Sequence, residues 1–403
     1  MTSANSAIHA SPEFSGYNFR DTSPEYVLDP FVATRDLRVG RALWSPTWGG
    51  FWTLTSGKDV RDCLQDSTLF SSSGGFGIPA RQKERKIIPV ELDPPEHGKY
   101  RQALAPFFGP RAVGLLDESL RRAAGELIDS FVQDGRCEFM SQFAAKFPTA
   151  SMVAMLGLPV EDTAMFVQWN HEFLHAHSIA DNSAGGELDA AQKIENYLAE
   201  AVRARQVKPL DDMISHLMEA SIDGRSISVD EVVSIAFQLF IAGLDTVTAV
   251  LGRSFLYLAT NQADLSRLVA DPSLRDSAVE ELLRLFPIAI VTRTATRDAD
   301  FAGVRIREGQ RILIDMDFWN RDLAEFVDPD ACNFARTNNR HISFGAGRHR
   351  CLGSHLARLE LGIAIDEFHK RIPEYRLDED APPTPFADLI RGVNDLTLVW
   401  DQQ

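Results

Sequence analysis

The stretch FGAGRHRCLG, residues 344–353, decides how this sequence is interpreted. It places Cys351 among three basic residues and between glycines. Glycine lets the backbone turn sharply and lets a large flat group approach closely. Cys351 also stands at the start of a strongly periodic helical stretch, residues 352–371. Because helix amides and nearby cations favour the thiolate over the thiol, the pattern predicts a thiolate that is either a nucleophile or a metal ligand.

Composition restricts the classes of function. The chain has 403 residues, a formal net charge of −16 and 44% hydrophobic residues. A sequence pI near 5.1 argues against nucleic acid as the main partner, because phosphate binding needs a basic face. A local basic patch on such an acidic protein would still dock an acidic partner.

The cysteines and the N-terminus indicate the cellular compartment. No two of the four cysteines form a C-x-x-C pair, which argues against zinc-ribbon and thioredoxin-like sites. Four cysteines in a chain of this length do not make a disulfide framework. Residues 1–16 lack the basic and apolar regions of a signal peptide. We therefore expect a reduced, soluble, cytoplasmic protein with a flexible polar arm at residues 1–24.

One apolar stretch, residues 232–251, is long enough to span a bilayer. Asp245 lies within it, and an aspartate at mid-membrane costs roughly 3 kcal/mol on insertion scales. Gln238 adds to that cost. A helix buried on all sides in a soluble protein is the better interpretation.

Periodicity predicts a mainly α fold with small β-sheets. Residues 39–56 are typical of a hairpin, and residues 57 to about 290 are mostly helical. Residues 298–316 are interpreted as two strands joined by a turn at Glu308-Gly309, and NDLTLVW near the end is a short strand. No linker or repeat divides the sequence, so residues 25–403 are expected to form a single domain.

Two helix boundaries carry specific signals. Ser228 or Asp230 is the candidate N-cap of the apolar helix, because both side chains accept hydrogen bonds from the first amides. Pro287 is expected to end the helix that contains the sequence EELLRLF.

The cysteine stretch resembles the haem-binding loop of the cytochromes P-450, F-x-x-G-x-[RH]-x-C-x-G. Phe344, Gly347, His349, Cys351 and Gly353 match it. The resemblance implies haem b, with Cys351 as the thiolate ligand of the iron, in a loop that also includes Gly345. It implies the cytochrome P-450 fold, in which haem lies between an oxygen-activating helix and the helix after the cysteine. The alternatives are a structural cysteine in a glycine-rich turn and a nucleophilic cysteine.

The pair Glu281 and Arg284 forms an E-x-x-R pattern about 70 residues before the cysteine. Such pairs occur on many helices and contribute only about 0.2–0.5 kcal/mol each. Its position relative to Cys351 nevertheless matches the family, and Arg336 falls where the third member of the family's Glu–Arg–Arg network is expected. The resemblance implies a structural role for these three residues.

The segment AGLDT, residues 242–246, lies in the apolar helix, where buried polar groups need partners. Thr246 could simply bond the carbonyl of Ala242, with Asp245 paired to a distant cation. The resemblance implies instead a catalytic set. Gly243 would leave room for dioxygen, Thr246 would bond the oxygen species during activation, and Asp245 would relay protons from solvent.

The resemblance also implies residues that bind the two haem propionates. His97 and Arg101 occupy the matching positions of the segment DPPEHGKYR, residues 93–101. Arg293 and His349 match the other two. Arg348 and Arg350 either face outward to a partner or are simply solvated.

Within the family the sequence most resembles the bacterial camphor-hydroxylase group. That group is soluble and takes electrons from a small acidic 2Fe–2S ferredoxin, which a separate flavin reductase reduces. This chain has no room for a flavin domain, so both proteins are implied as partners. Arg101, Arg348 and Arg350 would form the docking patch.

The substrate pocket departs from that group, because Arg85 stands where camphor hydroxylase has a tyrosine donor. The residues implied to line the pocket are mainly aliphatic, which favours a small apolar substrate such as a terpenoid or simple aromatic. Gln238 is either a polar substrate contact or bonded within the protein, and the basic loop 81–86 is either solvated or an anion site. The implied lining residues are Phe76, Ile78, Ile87, Ile88, Gln238, Ile241, Ala242, Ile288, Ala289, Ile290, Val291, Leu389 and Ile390.

The predicted function is a haem-thiolate monooxygenase that hydroxylates a C–H bond with O2. The alternatives are a peroxygenase of the same fold, a non-catalytic haem-thiolate sensor or carrier, and a cysteine hydrolase. Asp245 and Thr246 favour the monooxygenase. His171, His175 and His177 lack a matching carboxylate pattern and are interpreted as non-ligands.

Overall fold

A computed structural model gives the architecture. The predicted arm at residues 1–24 and nearly all of the basic loop 81–86 lie outside the residues that the structure describes. The described residues are 29–33, 40–78, 86–175 and 184–402.

Helices dominate the described part of the chain, as the periodicity predicts. The one before Pro287 ends at Leu285, two residues before the proline. The helix after the cysteine begins at Ser354 rather than at residue 352. In chain order they are α1 (Pro30–Ala33), α2 (Gly57–Gln65), α3 (Glu96–Phe108), α4 (Pro110–Gly114), α5 (Asp117–Asp129), α6 (Lys146–Leu156), α7 (Thr163–His175), α8 (Ala184–Val207), α9 (Met213–Glu219), α10 (Val229–Thr260), α11 (Gln262–Ala270), α12 (Arg275–Leu285), α13 (Asp317–Asn320) and α14 (Ser354–Arg371).

The longest of these, α10, has 32 residues and begins with a capping box. The Ser228 hydroxyl accepts a hydrogen bond from the Glu231 amide at 3.3 Å, and the Glu231 carboxylate accepts one from the Ser228 amide at 2.8 Å. Ser228, not Asp230, is therefore the N-cap. By length and hydropathy α10 qualifies as a membrane span, but more than half of its apolar window is buried and it packs against α6, α8 and α14. It is a core helix of this fold.

The strands are short and form five small sheets among the described residues. The largest has five strands in the order β1-β2-β10-β7-β3, in which β2 and β10 run parallel and the other pairs antiparallel. The strands are β1 (Ala42–Ser45), β2 (Phe51–Leu54), β3 (Phe70–Ser71), β4 (Arg136–Glu138), β5 (Ser221–Ile222), β6 (Arg225–Ser226), β7 (Ile290–Ala295), β8 (Ala299–Phe301), β9 (Val304–Ile306), β10 (Arg311–Asp315), β11 (Arg376–Leu377), β12 (Pro385–Ala387), β13 (Arg391–Val393) and β14 (Thr397–Val399).

The predicted hairpin at 39–56 is β1 and β2, but the prediction of two strands at 298–316 is wrong. This segment contains three strands. β8 and β9 pair with each other across Ala302-Gly303, where both residues have positive φ, which suits a tight two-residue hairpin. After the turn at Glu308-Gly309 the chain enters β10, which joins the large sheet instead of pairing with β9.

Two large apolar clusters and one small one form the core. The largest surrounds α10 and includes buried residues of α5, α6, α8, α12 and α14. The second joins the five-stranded sheet to α2 and α13 through residues such as Leu54, Ile312 and Trp319. The third is small and contains Ile78 and Ile290. The cysteine loop, residues 344–353, contacts α2 and leads into α14, which packs on α10. The fold therefore joins the cysteine loop to the large core cluster through α14.

Candidate functional site

Backbone geometry fixes the cysteine loop. The Cys351 amide donates a hydrogen bond to the Phe344 carbonyl at 2.8 Å, which closes the loop. Gly345 and Gly347 have φ of 72° and 70°, in the left-handed region that favours glycine. A Cβ on Gly347 would lie 2.5 Å from the carbonyl oxygen of Leu64, so the loop approaches α2 more closely than any other residue would allow.

The Cys351 residue is exposed, yet protein surrounds it so closely that burial is the main cause of a raised thiol pKa. A residue that lines an internal space is both exposed and closely surrounded, because it is open to that space while protein atoms lie all around it. Four groups oppose the burial: the hydrogen bond from the Gly353 amide and the charges of Arg101, Arg350 and Arg358. These groups favour the thiolate in the expected direction, but burial has the larger effect on the pKa. A thiol of this kind loses its proton when it coordinates a metal cation.

Four basic side chains converge beside the loop. The rings of His97 and His349 lie 3.9 Å apart, centre to centre. Burial and neighbouring cations lower the pKa of His97 to about 4 and that of His349 to about 3. Burial is also the main cause of the lowered pKa values of Arg101 and Arg293. An anionic group bound among these four side chains would favour their protonated forms and raise their pKa values.

Two details define what this basic cluster can bind. The Nε2 atom of His349 is buried without a hydrogen-bond partner. Arg293 donates to the Thr292 carbonyl at 2.8 Å, and Arg101 to the Arg350 carbonyl at 2.7 Å, which ties the cluster to the cysteine loop. The residues present therefore fit a cofactor that offers a metal to Cys351 and carboxylates to this cluster.

The segment 242–246 lies at the middle of α10. Ala242 is exposed there although most of the helix around it is buried. The Thr246 hydroxyl donates to the Ala242 carbonyl at 2.8 Å, and Asp245 is half-buried. A Cβ on Gly243 would meet the end of the Met152 side chain at 2.4 Å, so this glycine lets α6 approach α10. That it leaves room for dioxygen stays a prediction.

The three residues Glu281, Arg284 and Arg336 form a buried network. Arg284 bonds both oxygens of Glu281, at 2.9 Å and 2.8 Å, and Arg336 approaches the same carboxylate at 3.0 Å. The remaining Arg284 hydrogens go to the carbonyls of Asn320, Pro329 and Ala331. The carboxylate and guanidinium groups of the first pair are fully buried. The network ties α12 to the segment that leads into the cysteine loop.

The residues predicted to line a pocket fall into two groups that the fold brings together. Ile290 donates its amide to the Leu389 carbonyl, and the Arg391 amide donates to Ile288, both at 2.8 Å, so 288–291 and 389–390 are adjacent. Phe76, Ile87, Ile88, Ile241 and Ile288 all belong to the apolar cluster around α10. The Ile88 amide donates to the Ser234 hydroxyl at 3.0 Å, which joins the 86–88 segment to α10.

Gln238 differs from these neighbours. Its carbonyl oxygen, Oε1, is buried and has no hydrogen-bond partner. The alternative that this oxygen is bonded within the protein is therefore wrong for the structure described.

The three arginines predicted to form a docking patch differ in exposure. Arg348 and Arg350 are exposed, whereas Arg101 is half-buried and directed at the cysteine loop. Among the three histidines interpreted as non-ligands, His177 and the side chains of His171 and His175 lie outside what the structure describes. No group of three or more His, Cys, Asp or Glu residues in the described ranges is arranged to hold a metal ion.

Arg358 is a site residue that the sequence does not single out. Its guanidinium lies 4.5 Å from the centre of the Phe344 ring, and it pairs with Glu280. Its positive charge also lowers the pKa of the Cys351 thiol. Its position seven residues after the cysteine, about two helical turns, is the only sequence signal for it.

Comparison with known proteins identifies the family. A model of the family "Cytochrome P-450" matches residues 160–371. A protein named "Probable cytochrome P-450 127A1", from Sinorhizobium fredii, is 35% identical over 87% of this chain and 84% of its own length. A steroid C26-monooxygenase of Mycobacterium tuberculosis is 30% identical over 85% of this chain and 92% of its own. The crystal structure of CYP101J2 superimposes with a TM-score of 0.89 at 29% identity, covering 99% of this chain and 100% of that one.

The first two of these proteins come from bacteria and are named as a cytochrome P-450 and a monooxygenase. The superimposed crystal structure has the mainly α fold described above. The predicted family and fold are therefore confirmed. This chain belongs to the cytochrome P-450 superfamily and is a monooxygenase of that superfamily.

Proposed function

We propose that this enzyme binds haem b with Cys351 as the iron ligand and with His97, Arg101, Arg293 and His349 around the propionates. The observation that carries the proposal is the basic cluster beside an exposed, interior thiol. Arginine and histidine suit carboxylates, because they donate several hydrogen bonds and carry positive charge. The cysteine loop also contains Phe344, Gly345 and Gly353. The Gly353 amide donates a hydrogen bond to the Cys351 sulfur and so reduces the electron density that the sulfur can donate to a metal.

When bound, the haem supplies the activation of dioxygen, which a protein side chain cannot perform. The chain's own task is to deliver protons and to exclude bulk water. The Thr246 hydroxyl already donates its hydrogen to the Ala242 carbonyl, so its lone pairs face outward as acceptors. With haem bound, the Thr246 hydroxyl would accept a hydrogen bond from a donor in the site, and Asp245 would pass protons from solvent to that position.

The substrate proposed is a small apolar molecule, such as a terpenoid or a simple aromatic, that is hydroxylated at a C–H bond. The supporting observation is that most of the predicted lining residues are aliphatic and belong to the apolar clusters of the core or pack against them. Few polar groups would oppose such a ligand, so shape and burial decide affinity.

The electrons are proposed to come from a 2Fe–2S ferredoxin that a flavin ferredoxin reductase reduces, in the cytoplasm. Arg348 and Arg350 are exposed next to the cysteine loop on a protein whose net charge is −16. Such a local basic patch would steer an acidic carrier to the cysteine side.

The first test is the absorption spectrum of the purified protein after reduction with dithionite and exposure to CO. A strongly red-shifted Soret band would support thiolate ligation, and Cys351→His should abolish that band while retaining haem. Haem with a Soret band typical of histidine ligation in the wild type would refute the proposed ligand. Turnover that is supported by hydrogen peroxide but not by reductase, ferredoxin and NADH would favour the peroxygenase.

A further inference from the structure

The guanidinium of Arg311 holds the segment 74–78 by its main chain. Its Nη2 atom donates hydrogen bonds to the carbonyl oxygens of Gly75 and Gly77, both at 2.8 Å. The residue between these two carbonyls is Phe76. One side chain therefore fixes the backbone on both sides of a residue that is predicted to line the pocket.

Two threonines of β7 set the direction of this guanidinium. Arg311 lies opposite Thr294 in the ladder between β10 and β7, and its Nη1 atom donates to the Thr294 hydroxyl at 2.7 Å. Its Nη2 atom also donates to the Thr292 hydroxyl at 2.5 Å, and that hydroxyl donates to the Gly75 carbonyl at 2.9 Å. Because side chains two apart on a strand lie on the same face, these groups share one face of the sheet, and the segment lies on it.

The absence of a side chain at residue 74 allows this close approach. A Cβ on Gly74 would collide with the Nη1 atom of Arg311 and with the hydroxyl of Thr294. The start of the segment is held separately, since the Ser72 amide donates to the Asp93 carboxylate at 2.8 Å. Arg311 therefore holds the middle of the segment, and the chain before it stays anchored without Arg311.

The hydrogen bonds of Arg311 go only to neutral oxygens in the part of the chain that the structure describes. Burial lowers the pKa of its guanidinium to about 10, and its Nε atom is buried without a hydrogen-bond partner. A buried charge that no carboxylate neutralises by contact costs free energy, and such groups in native proteins call for a functional explanation.

The segment joins the two apolar clusters that contain most of the predicted pocket residues. Ile78 belongs to the small cluster with Ile290, and Phe76 packs against the large cluster around α10. A shift of the backbone at 74–78 would move both side chains of the segment at once. Arg311 therefore acts on this wall through the main chain.

We propose that Arg311 is a positioning residue that sets the size selectivity of the pocket, because it holds the wall formed by Phe76 and Ile78 in one place. The inference rests on the proposed function of the site. Without Arg311 a large apolar ligand has to order this wall as it binds, which weakens its binding. A ligand too small to reach the wall is unaffected.

The test compares imidazole with 4-phenylimidazole, two probes that bind haem iron through the same type of nitrogen but differ in size. Their dissociation constants are measured on the haem-loaded enzyme from the shift of the Soret band. Arg311→Gln should weaken the binding of 4-phenylimidazole about tenfold and leave that of imidazole nearly unchanged. An unchanged ratio of the two constants would overturn the inference.

A second variant tests the same hold from the side of the segment. Gly74→Ala should displace the guanidinium while Arg311 itself remains, so it should change the ratio in the same direction. Gly114→Ala, at the end of α4, is the matched control, because nothing lies within 4 Å of a Cβ there. The inference fails if Gly74→Ala keeps the wild-type ratio, or if Gly114→Ala changes the ratio equally.

Hydrogen exchange separates this role from a general structural one and needs no ligand. In Arg311→Gln the amides of residues 72–78 should exchange about tenfold faster, because local opening of this segment becomes easier, while those of α14 keep their wild-type rates. Equal acceleration in both regions, or none in residues 72–78, would contradict the proposed role.

Failure of the inference is distinguishable from failure of the proposed function. A CO spectrum typical of histidine ligation in the wild type refutes the proposed iron ligand, whereas the exchange rates still decide whether Arg311 holds the segment. If the wild type shows the thiolate-type spectrum and both variants keep the wild-type ratio of the two constants, only the inference fails.

Discussion

The Thr246 hydroxyl donates a hydrogen bond to the carbonyl oxygen of Ala242, one turn earlier in α10, at 2.8 Å. Such a bond is common for threonine in helices and does not by itself indicate catalysis. It does fix the direction of the hydroxyl hydrogen, so that the oxygen can act toward any other group only as an acceptor. The structural explanation and the catalytic one therefore describe the same geometry, and only a functional measurement separates them.

The first prediction concerns Thr246→Ala. The variant should fold and bind haem and substrate. Electrons should nevertheless pass into hydrogen peroxide, because the variant lacks the Thr246 hydroxyl that is proposed to support proton delivery in the site. Positioned proton-transfer groups contribute about 100-fold or more, so we expect product formed per NADH consumed to fall by about tenfold or more. The measurement is product and peroxide per NADH in the reconstituted system.

Thr248 provides the matched control for this prediction. Its hydroxyl makes the same type of bond, to Leu244 at 2.8 Å, and another to Ala144 at 2.9 Å, so it faces the preceding helical segment instead of the site. Thr248→Ala should leave product per NADH unchanged. If the two variants show the same ratio as the wild type, the role proposed for Thr246 is wrong.

The second prediction concerns the buried network. Glu281→Gln removes the charge that neutralises Arg284 and Arg336, and the first of these arginines is fully buried. Breaking one partner of a buried ion pair costs about 3–5 kcal/mol, because the other charge remains buried. The free energy of unfolding in urea should fall by this amount.

The control for this prediction is Glu118→Gln, which removes a helical i,i+4 ion pair with Arg122 at the surface. Exposed pairs of this type contribute only about 0.3–0.5 kcal/mol. Equal losses of stability in the two variants would show that the network around Glu281 does not support the cysteine-loop side of the fold.

The features that a local motif encodes could be predicted from the sequence. The loop around Cys351 requires glycine at Gly347 because of its positive φ, and that requirement is visible as a spaced pattern. The capping box at Ser228 and the helix end before Pro287 are equally local. These signals depend on neighbours within a few residues, which periodicity and capping rules describe well.

Features that depend on distant partners could not be predicted. Gly243 faces Met152, which is 91 positions earlier in the sequence, and nothing in the segment AGLDT indicates that contact. The third strand in 298–316 arises because β10 pairs with β7 and β2 instead of with its neighbour. The missing donor at Gln238 and the burial that raises the Cys351 pKa likewise depend on the assembled fold.

The third prediction concerns Glu360, which is fully buried in α14 and accepts a hydrogen bond from Ser151. Burial raises its pKa to about 8. The folded state therefore keeps a proton that the unfolded chain loses above pH 4.5, so the contribution of Glu360 to stability is greatest below that pH and falls as the pH rises toward 8. The loss is about 1.4 kcal/mol per pH unit in this window, as an order of magnitude.

Glu360→Gln keeps the shape and the bond with Ser151 but cannot ionise. It should raise the melting temperature at pH 8 and change it little at pH 4.5. Melting curves of the two proteins across this range give the comparison, and Glu367→Gln at the same helix serves as the control, because Glu367 pairs with Arg371 and Arg121. If the difference between wild type and Glu360→Gln does not depend on pH, Glu360 is ionised in the fold.

The last prediction concerns the exposed pair Arg348 and Arg350. Reversing both charges to glutamate should raise the KM for ferredoxin by about tenfold at low ionic strength, because steering by charge is lost, and the effect should shrink in high salt. Peroxide-driven turnover, which needs no ferredoxin, should change less than ferredoxin-driven turnover; it measures the separate effect of the Arg350 charge on Cys351. Arg297 is exposed between β7 and β8, and Arg297→Glu, which reverses one charge away from the loop, should have little effect. Wild-type ferredoxin kinetics in the double variant would place the docking surface elsewhere.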